Sequence, residues 1–132
     1  PCEAARLLGV SVTESETDRF AAVRKLQQKY NAVILLKGAG TLIYGDPTRP
    51  IQVCAYGNPA MATAGMGDIL SGVIGGLIAQ GMDLFTATEL ACCLHSKAAD
   101  MAVDKLGHRG LVASDVLTFV RAILNQSAIL AE

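Results

Sequence analysis

A glycine-rich loop that carries one acidic residue into an apolar helical run is the segment best suited to chemistry. Residues 65–68 read Gly-Met-Gly-Asp, and an apolar run follows from Ile69 to Ala79. Glycines let backbone N–H groups approach an anion at the positive end of a helix dipole. Asp68 would repel a phosphate there unless its carboxylate served a hydroxyl that attacks the phosphorus. The segment therefore indicates phosphoryl transfer, with Asp68 as the catalytic residue.

Two simpler interpretations of this loop stay open. Asp68 could only complement the helix dipole, which contributes about 0.3–1 kcal/mol on an exposed surface. Gly72, Gly75 and Gly76 could only allow close helix packing. Because a glycine costs about 1 kcal/mol in a helix interior, we expect a close approach of some neighbour to offset them. Neither interpretation needs glycines before the acid, so the pattern favours function.

A second glycine-rich loop, Lys37-Gly38-Ala39-Gly40-Thr41, follows the apolar run 32–36. That run predicts a strand buried on both faces of a parallel sheet, where ligands gather at the carboxyl ends of strands. The two glycines permit close backbone approach, Lys37 offers a positive charge for a phosphate, and Thr41 offers a hydroxyl. The alternative is a plain glycine turn with a solvated lysine.

The remaining elements are predicted from periodicity and turn residues. Runs 41–44 and 51–55 flank a turn segment and should pair as a hairpin. Ser114 with Asp115 is the expected N-cap of the last helix, while Gly81 and Gly107 stand where helices stop. The 17–30 helix should present a solvated face with Arg19, Arg24, Lys25 and Lys29. The predicted helices are 3–8, 17–30, 68–80, 84–106 and 114–124.

Composition narrows the classes of function. The 132 residues fit one domain or a piece of one, with 52% hydrophobic and 17% charged residues and a net charge of −1. That balance makes nucleic acid an unexpected partner. The apolar run 69–79 is shorter than the roughly 20 residues that cross a bilayer, so no membrane association is expected. No leader pattern opens the chain, so we expect a cytoplasmic protein.

The cysteines and the later charged residues predict no metal site. Cys2, Cys54, Cys92 and Cys93 lack a CxxC spacing and are expected as buried thiols. His95 is expected as a hydrogen-bonded core histidine. A charged group near a helix end is predicted to form a solvated surface, although its arginine could reach a nucleotide. The group comprises Asp100, Asp104, Lys105, His108 and Arg109.

Several segments together resemble the carboxyl-terminal half of ADP/ATP-dependent NAD(P)H-hydrate dehydratases, members of the ribokinase-like superfamily. The resemblance runs nearly end to end, and Cys2 replaces the family's usual glycine. It implies an α/β fold, a Rossmann-like three-layer sandwich with strands first and helices later, of which residues 1–132 are a single partial domain. The matching segments are PCEAARLLG, VILLKGAGTLI, GNPAMATAGMGDILSGVIGGLIAQG, LHSKAADMA and GLVASDVL.

The resemblance also implies a reaction. Family members repair nicotinamide cofactors that have gained water at C6 of the ring, acting on the S epimer with ADP or ATP and Mg²⁺. Phosphorylation turns the poor leaving group hydroxide into phosphate, which the ring nitrogen can expel. The implied partners are NAD(P)H hydrate and an adenine nucleotide, a second copy of the chain in a homo-oligomer, and a functional link to NAD(P)H-hydrate epimerase.

Site roles follow from the same resemblance. Asn58, at the loop entry, and Asp68 match substrate-binding positions, and Asp68 should orient or deprotonate the hydroxyl. Because other family contacts, including a histidine just before Pro1, lie in preceding sequence, we expect weak or no activity from these residues alone. The nucleotide-binding positions are Lys37, Gly38, Ala39, Gly40, Thr41 and Gly67, and the anion hole comprises Gly65, Met66 and Gly67.

Two other functions remain open at this point. The same loop arrangement serves ribokinase-like small-molecule kinases, for example one that phosphorylates a vitamin-precursor alcohol. A non-catalytic α/β association module is the third possibility, because an open sheet edge favours pairing with another chain. The choice between ADP and ATP is also left open.

Overall fold

The computed structural model describes residues 2–129, and side chains as far as residue 125; Pro1 of the first matching segment lies outside the described residues. The strands are β1 (Ile34–Leu36), β2 (Thr41–Tyr44) and β3 (Gln52–Cys54), followed by a 3₁₀ turn at Pro59–Met61. The helices are α1 (Cys2–Leu8), α2 (Val12–Thr17), α3 (Arg19–Tyr30), α4 (Met66–Ala79), α5 (Leu84–Leu106) and α6 (Ala113–Ile129).

The three strands form an antiparallel sheet in the order β1-β2-β3. The predicted hairpin of β2 and β3 is confirmed. The expectation that 32–36 lies in a parallel sheet is wrong for the described strands, because Leu36 pairs with Leu42 in the antiparallel sense across the turn of residues 37–40. Parallel neighbours need a crossover of a dozen or more residues, whereas Gly40, at φ +65°, lets this chain reverse at once.

Helices cover both faces of the sheet, and the predicted α/β fold is confirmed. Leu42 and Ile43, each 2% exposed, point to opposite faces because successive strand residues alternate. Leu42 packs with α1, α3 and β1, and Ile43 packs with β3 and α5. The sheet is thus the middle of three layers.

Helix α5 is the central helix of the carboxyl-terminal layer. Its alanines Ala87, Ala91 and Ala98 are fully buried, so α4 and α6 approach it closely. The helix itself confirms the prediction for 84–106, and Gly81 and Gly107, both at positive φ, follow helix ends as predicted. Among the described residues no helix is long and apolar enough to span a membrane.

Several helix starts differ from the prediction, including that of α4, which begins at Met66 rather than at Asp68. The sequence pattern missed α2, which Ser11 caps, and Asp18 separates it from α3 by accepting a hydrogen bond from the Ala21 N–H at 2.8 Å. Helix α6 starts at Ala113 rather than after Ser114. Asp115 accepts a hydrogen bond from the N–H of Val112 at 3.0 Å, as the carboxylate of a capping box does.

Candidate nucleotide site

A cavity of about 500 Å³ lies where the β1–β2 turn, the 56–62 segment, the start of α4 and one face of α5 meet. Seven of the predicted site residues line it: Lys37, Gly38, Ala39, Thr41, Asn58, Met66 and Gly67. Gly40, Gly65 and Asp68 lie outside its lining. The two glycine-rich loops, which are far apart in sequence, therefore share one cavity.

The first turn of α4 offers unpaired backbone donors. The first helical hydrogen bond runs from the Ile69 N–H to the Gly65 carbonyl at 3.1 Å, so the N–H groups of Met66, Gly67 and Asp68 have no acceptor within the helix. Gly65 caps the helix in the left-handed region, at φ +85°, without a side-chain hydrogen bond. Such a helix start is suited to an anion.

Lys37 reaches this helix start from the opposite loop. A Cβ placed on Gly67 would lie 3.1 Å from the Lys37 Nζ, so the absence of a side chain at Gly67 leaves room for the ammonium group. The same Nζ pairs with Glu3 at 3.3 Å, and both side chains are about half or more exposed. An exposed pair of this kind contributes at most about 1 kcal/mol, so a phosphate can displace the carboxylate.

Asp68 is exposed and stands one residue beyond the glycine that Lys37 approaches. Within the described part of the chain no hydrogen-bond donor or cation pairs with its carboxylate. The nearby glycines differ from our expectation, because Cβ atoms on Gly72, Gly75 and Gly76 would meet nothing within 4 Å. The expected close approach to these glycines is therefore not made by any described residue, and this face of α4 is open.

Asn58 is held by α5. Its Nδ2 donates to Asp100 Oδ1 at 2.9 Å, while its Oδ1 accepts from the N–H of Ala60 at 3.1 Å. Asp100 Oδ2 also accepts from the N–H of Gly57 at 3.0 Å. The expectation of a solvated Asp100 is thus wrong, since it anchors one wall of the cavity. The four other residues of that charged group are exposed, and Arg109 does not line the cavity.

Arg19 is a site-related residue that the sequence pattern missed. We expected it on a solvated helix face, yet it is half-buried and donates hydrogen bonds to three carbonyls of the β1–β2 turn. Its Nη1 contacts the Ala39 oxygen at 2.7 Å, and its Nη2 contacts the oxygens of Leu36 at 3.1 Å and Lys37 at 3.4 Å. No local sequence signal marks a contact across about 20 residues.

The inner wall of the cavity is mostly apolar and uncharged. His95 is 3% exposed, and its Nε2 has no hydrogen-bond partner among the described residues. The prediction that His95 is buried is therefore confirmed, but the predicted hydrogen bond is not found at Nε2. Burial lowers the pKa of His95, which keeps the ring neutral at pH 7. Burial, with Cys54 nearby, raises the pKa of the Cys92 thiol to about 12. Cys54 and Cys92 are buried as predicted, whereas Cys2 and Cys93 are exposed.

Comparison with known proteins identifies the family to which the chain is similar. The family model described as NAD(P)H-hydrate dehydratase matches residues 1–121. The chain is 54% identical over 125 residues to a bifunctional NAD(P)H-hydrate repair enzyme of Vibrio cholerae, covering 95% of the chain and 25% of that protein. It is 42% identical over 127 residues to an ADP-dependent (S)-NAD(P)H-hydrate dehydratase of Neisseria meningitidis, covering 96% of the chain and 43% of that protein.

A solved structure agrees with these relatives. The ADP/ATP-dependent NAD(P)H-hydrate dehydratase of Bacillus subtilis, co-crystallised with ATP and Mg²⁺, superposes with a TM-score of 0.87 at 28% identity, covering 96% of this chain and 45% of that one. The chain belongs to the NAD(P)H-hydrate dehydratase family. It spans less than half the length of the curated relatives and of the solved structure that it matches.

Proposed function

We propose that this chain supplies the nucleotide-phosphate and hydroxyl-activating part of a dehydratase that converts the S epimer of NAD(P)H hydrate to NAD(P)H with ADP or ATP. The observation that carries the proposal is the approach of Lys37 to Gly67, beside unpaired helix donors and the exposed carboxylate of Asp68. A cation, amide donors and a carboxylate are the groups that phosphoryl transfer to an alcohol requires. Family membership supports the choice of alcohol.

The cavity suggests how the nucleotide lies. Its phosphates would contact Lys37, the turn from Gly38 to Thr41, and the N–H groups of Met66 and Gly67. The adenosine would extend toward the apolar inner wall, where burial of a flat ring is favourable. Asn58, whose amide is already bound to Asp100, would shape the entry through its position.

In the proposed chemistry, Asp68 accepts the proton of the C6 hydroxyl as the hydroxyl oxygen attacks the terminal phosphorus. The bond from that phosphorus to the bridging oxygen breaks, and AMP leaves from ADP, or ADP from ATP. The ring nitrogen's lone pair then forms a C=N bond as the C6–O bond breaks and phosphate leaves. Loss of a proton from C5 restores the dihydropyridine. Asp68 needs to be well placed more than strongly basic, because the transition state is loose.

Mg²⁺ fits this site as an ion carried by the nucleotide. No group of three potential metal ligands converges in the part of the chain that the structure describes. Mg²⁺ is commonly held by one or two carboxylates together with substrate phosphates and water, and here the nucleotide's phosphates and water would supply its ligands. When bound, the ion would neutralise charge on the transferring phosphoryl group.

The wider assignments follow from relatives. The Vibrio relative is called bifunctional, which supports a link between dehydration and a second repair step, and we propose the epimerase as that step. A cytoplasmic homo-oligomer remains our prediction. The vitamin-precursor kinase shares the loops, but the family match favours the hydrate over another alcohol. A purely associative role is favoured only by the edge of β1, which pairs with β2 alone among the described strands.

The proposed function is tested by grafting the chain into a relative. The matched 127-residue segment of the Neisseria dehydratase is replaced by the corresponding residues of this chain, and dihydronicotinamide absorbance, AMP and phosphate are followed with hydrate, ADP and Mg²⁺. We expect all three products in equal amounts. The unaltered Neisseria protein is the positive control. A folded chimera that binds ADP but restores no dihydronicotinamide would contradict the proposal, and phosphorylation of another alcohol would favour the kinase.

A further inference from the structure

We propose that Arg19 is a positioning residue of the nucleotide site, whose guanidinium holds the carbonyls of the β1–β2 turn so that the turn presents N–H donors to the phosphates. This inference rests on the proposed function, because the turn is assigned there to the nucleotide. Arg19 does not itself line the cavity. It acts from α3, on the other side of the turn.

The first step concerns which groups the turn leaves for a ligand. Arg19 binds the carbonyls of Leu36, Lys37 and Ala39, and Thr41 Oγ1 donates to the remaining one, Gly38, at 3.2 Å. All four carbonyls from 36 to 39 are thus bound within the chain. No cis peptide bond occurs among the described residues, so each N–H points opposite the preceding carbonyl. The N–H groups of residues 37–40 therefore point away from the side on which these four carbonyl oxygens are bound.

This orientation matters because a phosphate accepts hydrogen bonds only. A turn whose carbonyls faced the cavity would repel the phosphate oxygens, whereas one that presents N–H groups attracts them. Among the described residues no carboxylate neutralises Arg19, so its positive charge also lies behind the turn. The orientation of the turn and the charge of Arg19 therefore both favour a bound phosphate.

The second step concerns why the residue is an arginine. Two different nitrogens of one planar group contact carbonyls of different residues, a fork that the single ammonium of lysine cannot reproduce. Gly38 completes the fit, because a Cβ there would lie 2.8 Å from Arg19 Nη2. Gly38 is also at φ +152°, which disfavours a side chain. Gly38 therefore leaves the space that the guanidinium of Arg19 occupies.

The test compares Arg19→Lys and Arg19→Met with Arg24→Met, which removes an equal charge from an exposed position of the same helix. The order of the backbone at residues 37–40 is measured on the ligand-free 132-residue chain from ¹⁵N relaxation by NMR. Binding of ADP with Mg²⁺ is measured by calorimetry. We expect Arg19→Lys to remain folded, to lower the order parameters of these amides from about 0.85 toward about 0.6, and to bind ADP about tenfold more weakly. Arg24→Met should match the wild type in both measurements.

Each other outcome is decisive. Wild-type affinity in Arg19→Lys would overturn the inference, as would weaker binding with unchanged order parameters, since the turn would then be ordered without the guanidinium. An equal loss of affinity in Arg24→Met would overturn it too, since the loss of a positive charge on α3 would then be enough to weaken binding. If Arg19→Met fails to fold, Arg19→Lys decides. Failure of the wild-type chain to bind ADP would count against the proposed function instead, and lower order parameters in Arg19→Lys would still show that Arg19 orders the turn.

Discussion

Asp68→Asn in the Neisseria chimera should lower the rate of dehydration about 10²- to 10⁴-fold, the range that general acid–base groups contribute. The asparagine keeps the shape of the side chain but cannot accept the hydroxyl proton. ADP affinity should stay the same or increase slightly, since a negative charge beside the phosphates is removed. The measurement is single-turnover recovery of dihydronicotinamide absorbance at saturating ADP, so that binding and chemistry are separated.

Two further variants make the Asp68 result specific. Asp104→Asn removes an exposed carboxylate from α5, outside the cavity lining, and should leave the rate unchanged. Asp68→Glu keeps the charge but moves it by one methylene, so an intermediate rate is expected. The fold should survive in each case, because Asp68 contributes to its helix only about 0.3–1 kcal/mol. A less than tenfold loss in Asp68→Asn would exclude this residue as the proton acceptor.

Lys37→Met should raise the dissociation constant of ADP about 10- to 100-fold. A hydrogen bond to a charged group contributes about 1.5–3 kcal/mol, and each 1.4 kcal/mol is a factor of ten. Methionine keeps much of the side-chain length while removing the ammonium that lies near Gly67. Calorimetry on the 132-residue chain gives the affinity, and the salt dependence of binding should become shallower in the variant.

The matched control for Lys37 is Lys25→Met, which removes the same charge from an exposed position on α3. It should bind ADP as the wild type does. Thermal unfolding of Lys37→Met should also resemble that of the wild type, because the pair with Glu3 is exposed and of little value to stability. Equal ADP affinities in Lys37→Met and Lys25→Met would remove Lys37 from the phosphate site.

Local patterns predicted most of the elements, and they singled out two glycine-rich loops that the structure brings to one cavity. Helix α5 and the β2–β3 hairpin follow from periodicity and turn residues, which act over a few residues. The strand at Ile34–Leu36 was correctly placed but given the wrong partner direction. Its run of apolar residues reports burial, and burial on two faces does not distinguish a parallel strand from an antiparallel one between helical layers.

Long-range contacts could not be predicted in the same way. Arg19 binds a turn about 20 residues away, and Asp100 binds the 57–58 segment from α5, yet both stand among charged residues with a helical spacing typical of a solvated face. His95 was expected to be buried, but its missing hydrogen-bond partner depends on tertiary packing. The resemblance to the family identified the loops but contains no information on these supporting contacts.

The most direct test of where the nucleotide binds is an NMR titration of the ¹⁵N-labelled 132-residue chain with ADP and Mg²⁺. Saturable shift changes should concentrate in the amides of residues 37–41 and 65–68, which line or adjoin the cavity. Changes confined to the groove between α1, α3 and β1, around Leu7, Tyr30 and Ile34, would contradict the account.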